Sequence, residues 1–138
     1  MGKGYNRKFI LRIKEMPKVK EDVLKDPILK RIVEVIVKEI DPDKIILFGS
    51  RARDDYKEDS DYDILVLKRG IKPEERRKLA TRIERIFLDM GIFKIASVDL
   101  VVQDTERYGE LIERWDLIYY YANEEGIILY ERGPQKVA

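Results

Sequence analysis

The sequence predicts an α/β fold, with a small mixed β-sheet flanked by helices. Three observations lead there. Two short apolar runs, Ile45-Ile46-Leu47-Phe48 and Ile64 to Leu67, have the length and bounding turn residues of buried strands. A third run, Ala96 to Val102, has the same character and carries a single acid, Asp99. Between and around these runs the apolar residues switch to helical spacing, and such alternation builds a layered α/β domain.

The first 25 residues are a basic extension, residues 1–25. Seven Lys or Arg and one acid, Glu15, lie between Gly2 and Lys20, and Phe9, Leu11 and Ile13 alternate as in an edge strand. The stretch reads either as a solvated tail or as an arm for nucleic acid, with the tail favoured because no aromatic array accompanies the charge. The domain proper, residues 26–132, opens at Asp26-Pro27, an N-cap followed by proline at the first helical position. Ile28, Ile32, Val35, Ile36 and Ile40 continue at helical spacing to Asp41-Pro42, and this stripe reads as core.

After the central runs, Pro73 opens a second helix with Leu79, Ile83, Ile86, Phe87 and Met90 on its apolar face, ended by Gly91. Its outer face, Glu74, Glu75, Arg76, Arg77, Lys78 and Arg82, reads as solvated charge. Thr105 is expected to cap a helix running through Trp115, and Leu117 to Glu125 adds another turn or two before Gly126. Ile127 to Tyr130 reads as a short last strand, and residues 133–138 as a frayed tail. The rings of Tyr108, Trp115, Tyr119, Tyr120 and Tyr121 exceed what one short helix face can bury, so part of this cluster is expected at the surface, where Tyr and Trp favour protein contacts.

Composition narrows the chemistry. The 138 residues suffice for one domain that buries roughly 70% of its unfolded surface. With 28 Lys+Arg against 27 Asp+Glu, net charge steers the chain toward neither nucleic acid nor membrane. Cys and His are absent, which excludes disulfides, a Cys/His zinc site and a thiol nucleophile. Any acid–base step must fall to carboxylates, Tyr, Lys or water. A charged content of 40% with only four Asn and Gln is the composition of a thermophile protein. No apolar stretch reaches membrane-spanning length and no signal peptide is visible, so a cytoplasmic protein without membrane contact is expected.

The chemistry concentrates between Lys44 and Lys68, KIILFGSRARDDYKEDSDYDILVLK. Gly49-Ser50 ends one strand, ten residues follow, and Asp61-Tyr62-Asp63 begins the next. Residues two apart on a strand face the same way, so the two carboxylates project together and repel. A hard divalent cation compensates that cost, and Mg²⁺ takes one or two carboxylates plus substrate phosphates. Gly49, lacking Cβ, lets backbone N–H groups approach a phosphate. Ser50 adds a hydroxyl donor or caps a short helix. Asp99, an acid amid apolar strand residues, calls for a partner or a metal unless it faces solvent from an edge strand.

Gly-Ser, ten residues, then Asp-x-Asp resembles the signature of the DNA polymerase β-like nucleotidyltransferase superfamily. The surrounding GSRAR and SDYDILV resemble its minimal nucleotidyltransferase (MNT) branch, and the likeness covers roughly residues 27–131. One departure is Asp54, where family members usually carry Gly; Asp tolerates left-handed backbone better than most residues. The resemblance implies a polymerase β-like fold and two-metal nucleotidyl transfer. Asp61 and Asp63 would hold both of two Mg²⁺ ions, Asp99 would match the third carboxylate, and ATP would be the substrate. Gly49 and Ser50 would grip the triphosphate. Arg51 and Arg53 either touch phosphate or brace the loop against Asp54, Asp55 or Glu58.

MNT proteins of this size resemble the antitoxins of HEPN/MNT toxin–antitoxin modules, which transfer AMP from ATP to a tyrosine hydroxyl of the HEPN toxin. That reading implies a HEPN-family toxin as partner. Its rivals are a binding module that neutralises its partner without turnover, and a nucleotidyltransferase acting on RNA through residues 3–20.

Overall fold

The computed structural model describes residues 25–133. The expected basic arm with its alternating Phe9–Ile13 stretch, and the tail past 133, lie outside the described residues. The described chain forms α1 (Pro27–Ile40), β1 (Lys44–Phe48), α2 (Ser50–Arg53), β2 (Tyr62–Lys68), α3 (Pro73–Asp89), a 3-10 turn (Ile92–Lys94), β3 (Val98–Asp104), α4 (Thr105–Leu111), α5 (Ile118–Glu125) and β4 (Ile127–Glu131). The strands form one mixed sheet in the order β3-β2-β1-β4. β1 runs antiparallel to β2 and β4, whereas β2 and β3 are parallel.

Side chains alternate across this sheet and are covered on both faces. Ile45 and Leu47 of β1 join Ile64 and Val66 of β2 in a cluster with Ile32, Ile36, Ile83 and Phe87 of α1 and α3. Ile46, Phe48, Leu65 and Leu67 point the other way, onto Tyr108, Leu111, Tyr119 and Ala122 of α4 and α5. Burial on both faces is why the strands read as continuous apolar runs rather than alternating ones. Each fully buried side chain of this size contributes about 1.5–3 kcal/mol.

Local signals start and stop the helices. Asp26 accepts hydrogen bonds from the N–H groups of Ile28 (2.8 Å) and Leu29 (3.4 Å), so it caps α1 as expected. Asp41, left-handed at φ 54°, closes that helix. The Lys72 N–H donates to Glu75 Oε1 (3.0 Å) at the start of α3, and left-handed Gly91 follows its end. Met90, expected on the buried face of α3, falls past its last turn and is exposed.

Two expectations about the second half are corrected. Asp104, not Thr105, caps α4, accepting from Arg107 N–H (3.0 Å); its other oxygen accepts from Gly70 N–H (2.7 Å). Thr105 Oγ1 instead donates to Asp43 (2.7 Å). The helix also stops at Leu111 rather than Trp115. Arg114 grips Asp116 at 2.8 and 3.0 Å in a tight turn, which reverses the chain so that α5 packs beside α4. Tyr108 and Tyr119 are buried by that packing, whereas Trp115 (72% exposed), Ile118 and Tyr121 face outward.

Nor is α3's outer face wholly solvated. Arg76 lies half-buried, donating to Val102 O (2.7 Å) and to the Tyr119 hydroxyl (3.1 Å). Between β1 and β4 the register slips by one residue at Ile45/Ile46. Among the described residues no helix is long and apolar enough to cross a membrane.

Candidate active site

β1 ends at Phe48, and Gly49 turns the chain with φ 74° and ψ −159°, backbone that only glycine adopts without strain. Its carbonyl accepts from the N–H groups of Ala52 and Arg53, both at 3.1 Å, closing the single turn α2. Asp54 ends that turn in the left-handed region, φ 65° and ψ 25°, its N–H bonded to Ser50 O. Asp54 thus adopts the left-handed backbone that an aspartate tolerates better than most residues. Ser50 does not cap the turn as one expectation had it. Gly49 occupies the cap position, and the Ser50 hydroxyl takes no hydrogen-bond partner among the described residues.

β2 lies at the centre of the sheet and pairs antiparallel with β1, which sets Asp63 opposite Phe48. Parallel pairing with β3 then sets Asp99 beside Asp63. The constellation therefore gathers at one end of the sheet, at the carboxyl end of β1 and the amino ends of β2 and β3. Asp63 shares the face of Leu65 and Leu67 and is half-buried, whereas Asp61, just before the strand, and Asp99 are exposed. Asp99 does lie on an edge strand, but in register with the central carboxylate.

Burial holds the Asp63 carboxyl above the usual carboxylate range, and the charges of Asp99 and Asp61 push it the same way; Arg53 opposes them. Asp63 therefore senses both other acids. Among the described residues, however, no three acidic side chains form a ready-made metal-ligand cluster. The donor set still fits Mg²⁺: carboxylate oxygens on neighbouring strands, the central one uncomfortable with its own charge, and an oxygen-preferring cation that keeps several waters.

The two arginines divide. Arg51 braces the loop through main-chain carbonyls rather than acids, with Nε to Ser60 O and Nη2 to Glu58 O, both 3.1 Å. Its guanidinium stacks over Tyr62 (3.9 Å) and Tyr56 (4.6 Å). Arg53 reaches Asp55 (3.2 Å) and Glu125 (3.8 Å), stays exposed, and is the cation whose charge Asp63 feels.

Sequence reasoning missed Tyr62. Its hydroxyl donates to Asp26 Oδ2 (2.7 Å), tying the start of β2 to the cap of α1. Burial and that bond push the phenol up to about 12. Nothing in the sequence links positions 36 residues apart.

A family model described as "Polymerase beta, Nucleotidyltransferase" matches residues 30–134. The chain belongs to this family. A solved protein from Sulfolobus solfataricus, assigned provisionally as a nucleotidyltransferase, is similar at 25% identity over 85% of this chain and 87% of that one, with a TM-score of 0.53. A toxin–antitoxin structure with AMP-PNP matches at 23% identity and TM-score 0.45, and a mutant of the toxin–antitoxin MntA-HpeT at 21% and 0.44. Each of these covers 75% of this chain and 73% of its own. No curated protein matches the chain. The mixed sheet with helices on both faces is thus the polymerase β-like nucleotidyltransferase fold.

Proposed function

We propose that this nucleotidyltransferase moves AMP from ATP to a hydroxyl of a partner protein, tyrosine being the favoured acceptor and a HEPN-type toxin the favoured partner. The observation that supports the transfer chemistry is the Asp63–Asp99 register pair on neighbouring strands, with the Gly49 turn packed against the Asp63 carboxylate. The partner assignment rests on the resemblance of GSRAR and SDYDILV to the MNT branch, supported by the outward-facing Trp115, Ile118 and Tyr121. Aromatic exposure of that kind suits a protein surface better than a phosphate backbone.

In this reading the Gly49–Ser50 turn and Arg53 orient the triphosphate. Asp61, Asp63 and Asp99 would hold the pair of Mg²⁺ ions, which when bound offset phosphate charge and acidify the acceptor hydroxyl. The acceptor oxygen bonds to the α-phosphorus, the bond from that phosphorus to the bridging oxygen breaks, and pyrophosphate leaves with the electron pair. The hydroxyl proton departs through the exposed Asp99 carboxylate to solvent, since the chain has no histidine to take it.

The test is incubation of the protein with labelled ATP, Mg²⁺ and a partner captured from the source organism. Mass spectrometry should find one AMP on a partner tyrosine. A partner silenced equally well by a variant lacking all three aspartates would overturn catalysis and leave a steric binding protein.

A further inference from the structure

β3 pairs with β2 alone, so its other edge is the rim of the sheet. Along it runs a cavity of about 400 Å³, bordered by Asp99, Val102, Pro73 and Ala80, with Arg76 and Arg77 on its α3 side. That volume is at the small end of ligand-sized pockets. Arg76 is planted in the wall. Besides its bonds to Val102 O and the Tyr119 hydroxyl, it is steadied through that hydroxyl by the buried side chain of Gln103, whose Nε2 donates to it at 3.0 Å. A guanidinium carries five donors, and two suffice for these contacts.

Covering the sheet edge accounts for Arg76 but not for Arg77. Arg77 is exposed and makes no ion pair or hydrogen bond among the described residues. Arg31 and Arg85 are also without one, but neither borders this cavity. Among the described residues the cavity thus has a cation with no partner along one side and Asp99 at another.

The geometry points to this cavity as the docking site of a polypeptide acceptor that carries a carboxylate close to its reacting hydroxyl, with Arg77 reading the carboxylate. The inference rests on the transfer reading above and adds what the acceptor must look like. Two guanidiniums set on one wall match a short acidic segment. A nucleic acid strand fits poorly. The lining has no aromatic ring for a base to stack on.

The test uses the full chain with Mg²⁺ and a non-hydrolysable ATP analogue. The probes are two fluorescent peptides, one tyrosine flanked by glutamates and one flanked by lysines, and a fluorescent oligouridylate. The acidic peptide should bind best. Arg77→Glu should weaken it about three- to tenfold and favour the lysine peptide, Arg77→Lys should retain most of the affinity, and Arg85→Glu should change nothing. Melting temperature and nucleotide affinity should stay at wild-type values in Arg77→Glu, separating docking from folding. Acidic-peptide affinity that is absent, or indifferent to Arg77→Glu, overturns the proposal, as does oligouridylate that binds more tightly and depends on Arg77. Labelled ATP separates this from the transfer reading. Arg77-dependent binding without AMP on the peptide keeps the docking site and counts against transfer; AMP on the peptide regardless of Arg77 does the reverse.

Discussion

A Cβ atom on Gly49 would lie 2.1 Å from Oδ2 of Asp63 and 3.0 Å from its Cγ. The turn that should receive phosphate and the central carboxylate therefore occupy adjoining space with no atom to spare. Two separate constraints fall on position 49, the Gly-only backbone at φ 74° and this contact.

Gly49→Ala should cost roughly 1–3 kcal/mol of stability through backbone strain and should also push the Asp63 side chain away. The contact can be separated from the strain by a double-mutant cycle in urea. Asp63→Ala removes the obstructing oxygen, so the alanine should cost less in that background. Strictly additive losses would mean the contact is harmless and the backbone alone demands glycine.

Asp63 itself should be a stability liability. Its folded carboxyl sits above the usual value because of burial and the neighbouring Asp99 and Asp61 charges. An acid raised in this way favours folding below its unfolded value, about 3.9, and loses that contribution as pH rises through the folded value. At pH 7 the metal-free Asp63→Asn protein should accordingly melt above wild type, the gap closing as the pH approaches about 4. Mg²⁺ should raise the wild-type melting temperature and scarcely move the variant's. An Asp63→Asn protein that gains as much from Mg²⁺ as wild type would place the cation elsewhere.

How far such features were legible depended on whether their cause was local. Gly49, Asp61 and Asp63 stood out because a strand end, a spacing and a charge clash are written within fifteen residues. Asp54 was legible for the same reason, since its own side chain sets its backbone preference. Asp26 was read as a cap, yet its second role, accepting from Tyr62, depends on how α1 crosses the start of β2. Arg76 looked solvated because nothing nearby announces Val102 or Tyr119 as partners. The α4 cap was missed by one position because Asp104 and Thr105 are both good caps, and the tie from Thr105 to Asp43 decides between them.

The two loop arginines should fail differently when changed. Arg51→Lys keeps the charge but loses the planar fork that spans Ser60 O and Glu58 O and stacks on Tyr62. Faster proteolysis within residues 54–60 is expected, with about 1–2 kcal/mol lost. Arg53→Ala touches no buried partner, so the fold should hold while ATP affinity falls. Matching proteolysis and ATP-binding profiles for the two variants would refute this division of labour.

Asp99 separates binding from transfer. It is exposed on the edge strand, whereas Asp63 lies inward beside Gly49, next to the turn proposed for the triphosphate. An exposed carboxylate at the rim can be neutralised with little effect on the strands, since its backbone pairing with Asp63 remains. In the proposed arrangement its task is the acceptor hydroxyl, so Asp99→Asn should keep ATP affinity within about threefold of wild type, or under ~1 kcal/mol. Transfer to the acceptor should drop by at least about a hundredfold, the effect of losing a proton acceptor. Asp63→Asn should lose both. Calorimetric titration with a non-hydrolysable ATP analogue and Mg²⁺, run beside the labelled transfer assay, reads the two quantities independently. If Asp99→Asn loses nucleotide affinity as completely as Asp63→Asn does, the two carboxylates act as one triphosphate site and the acceptor's proton must leave by another group.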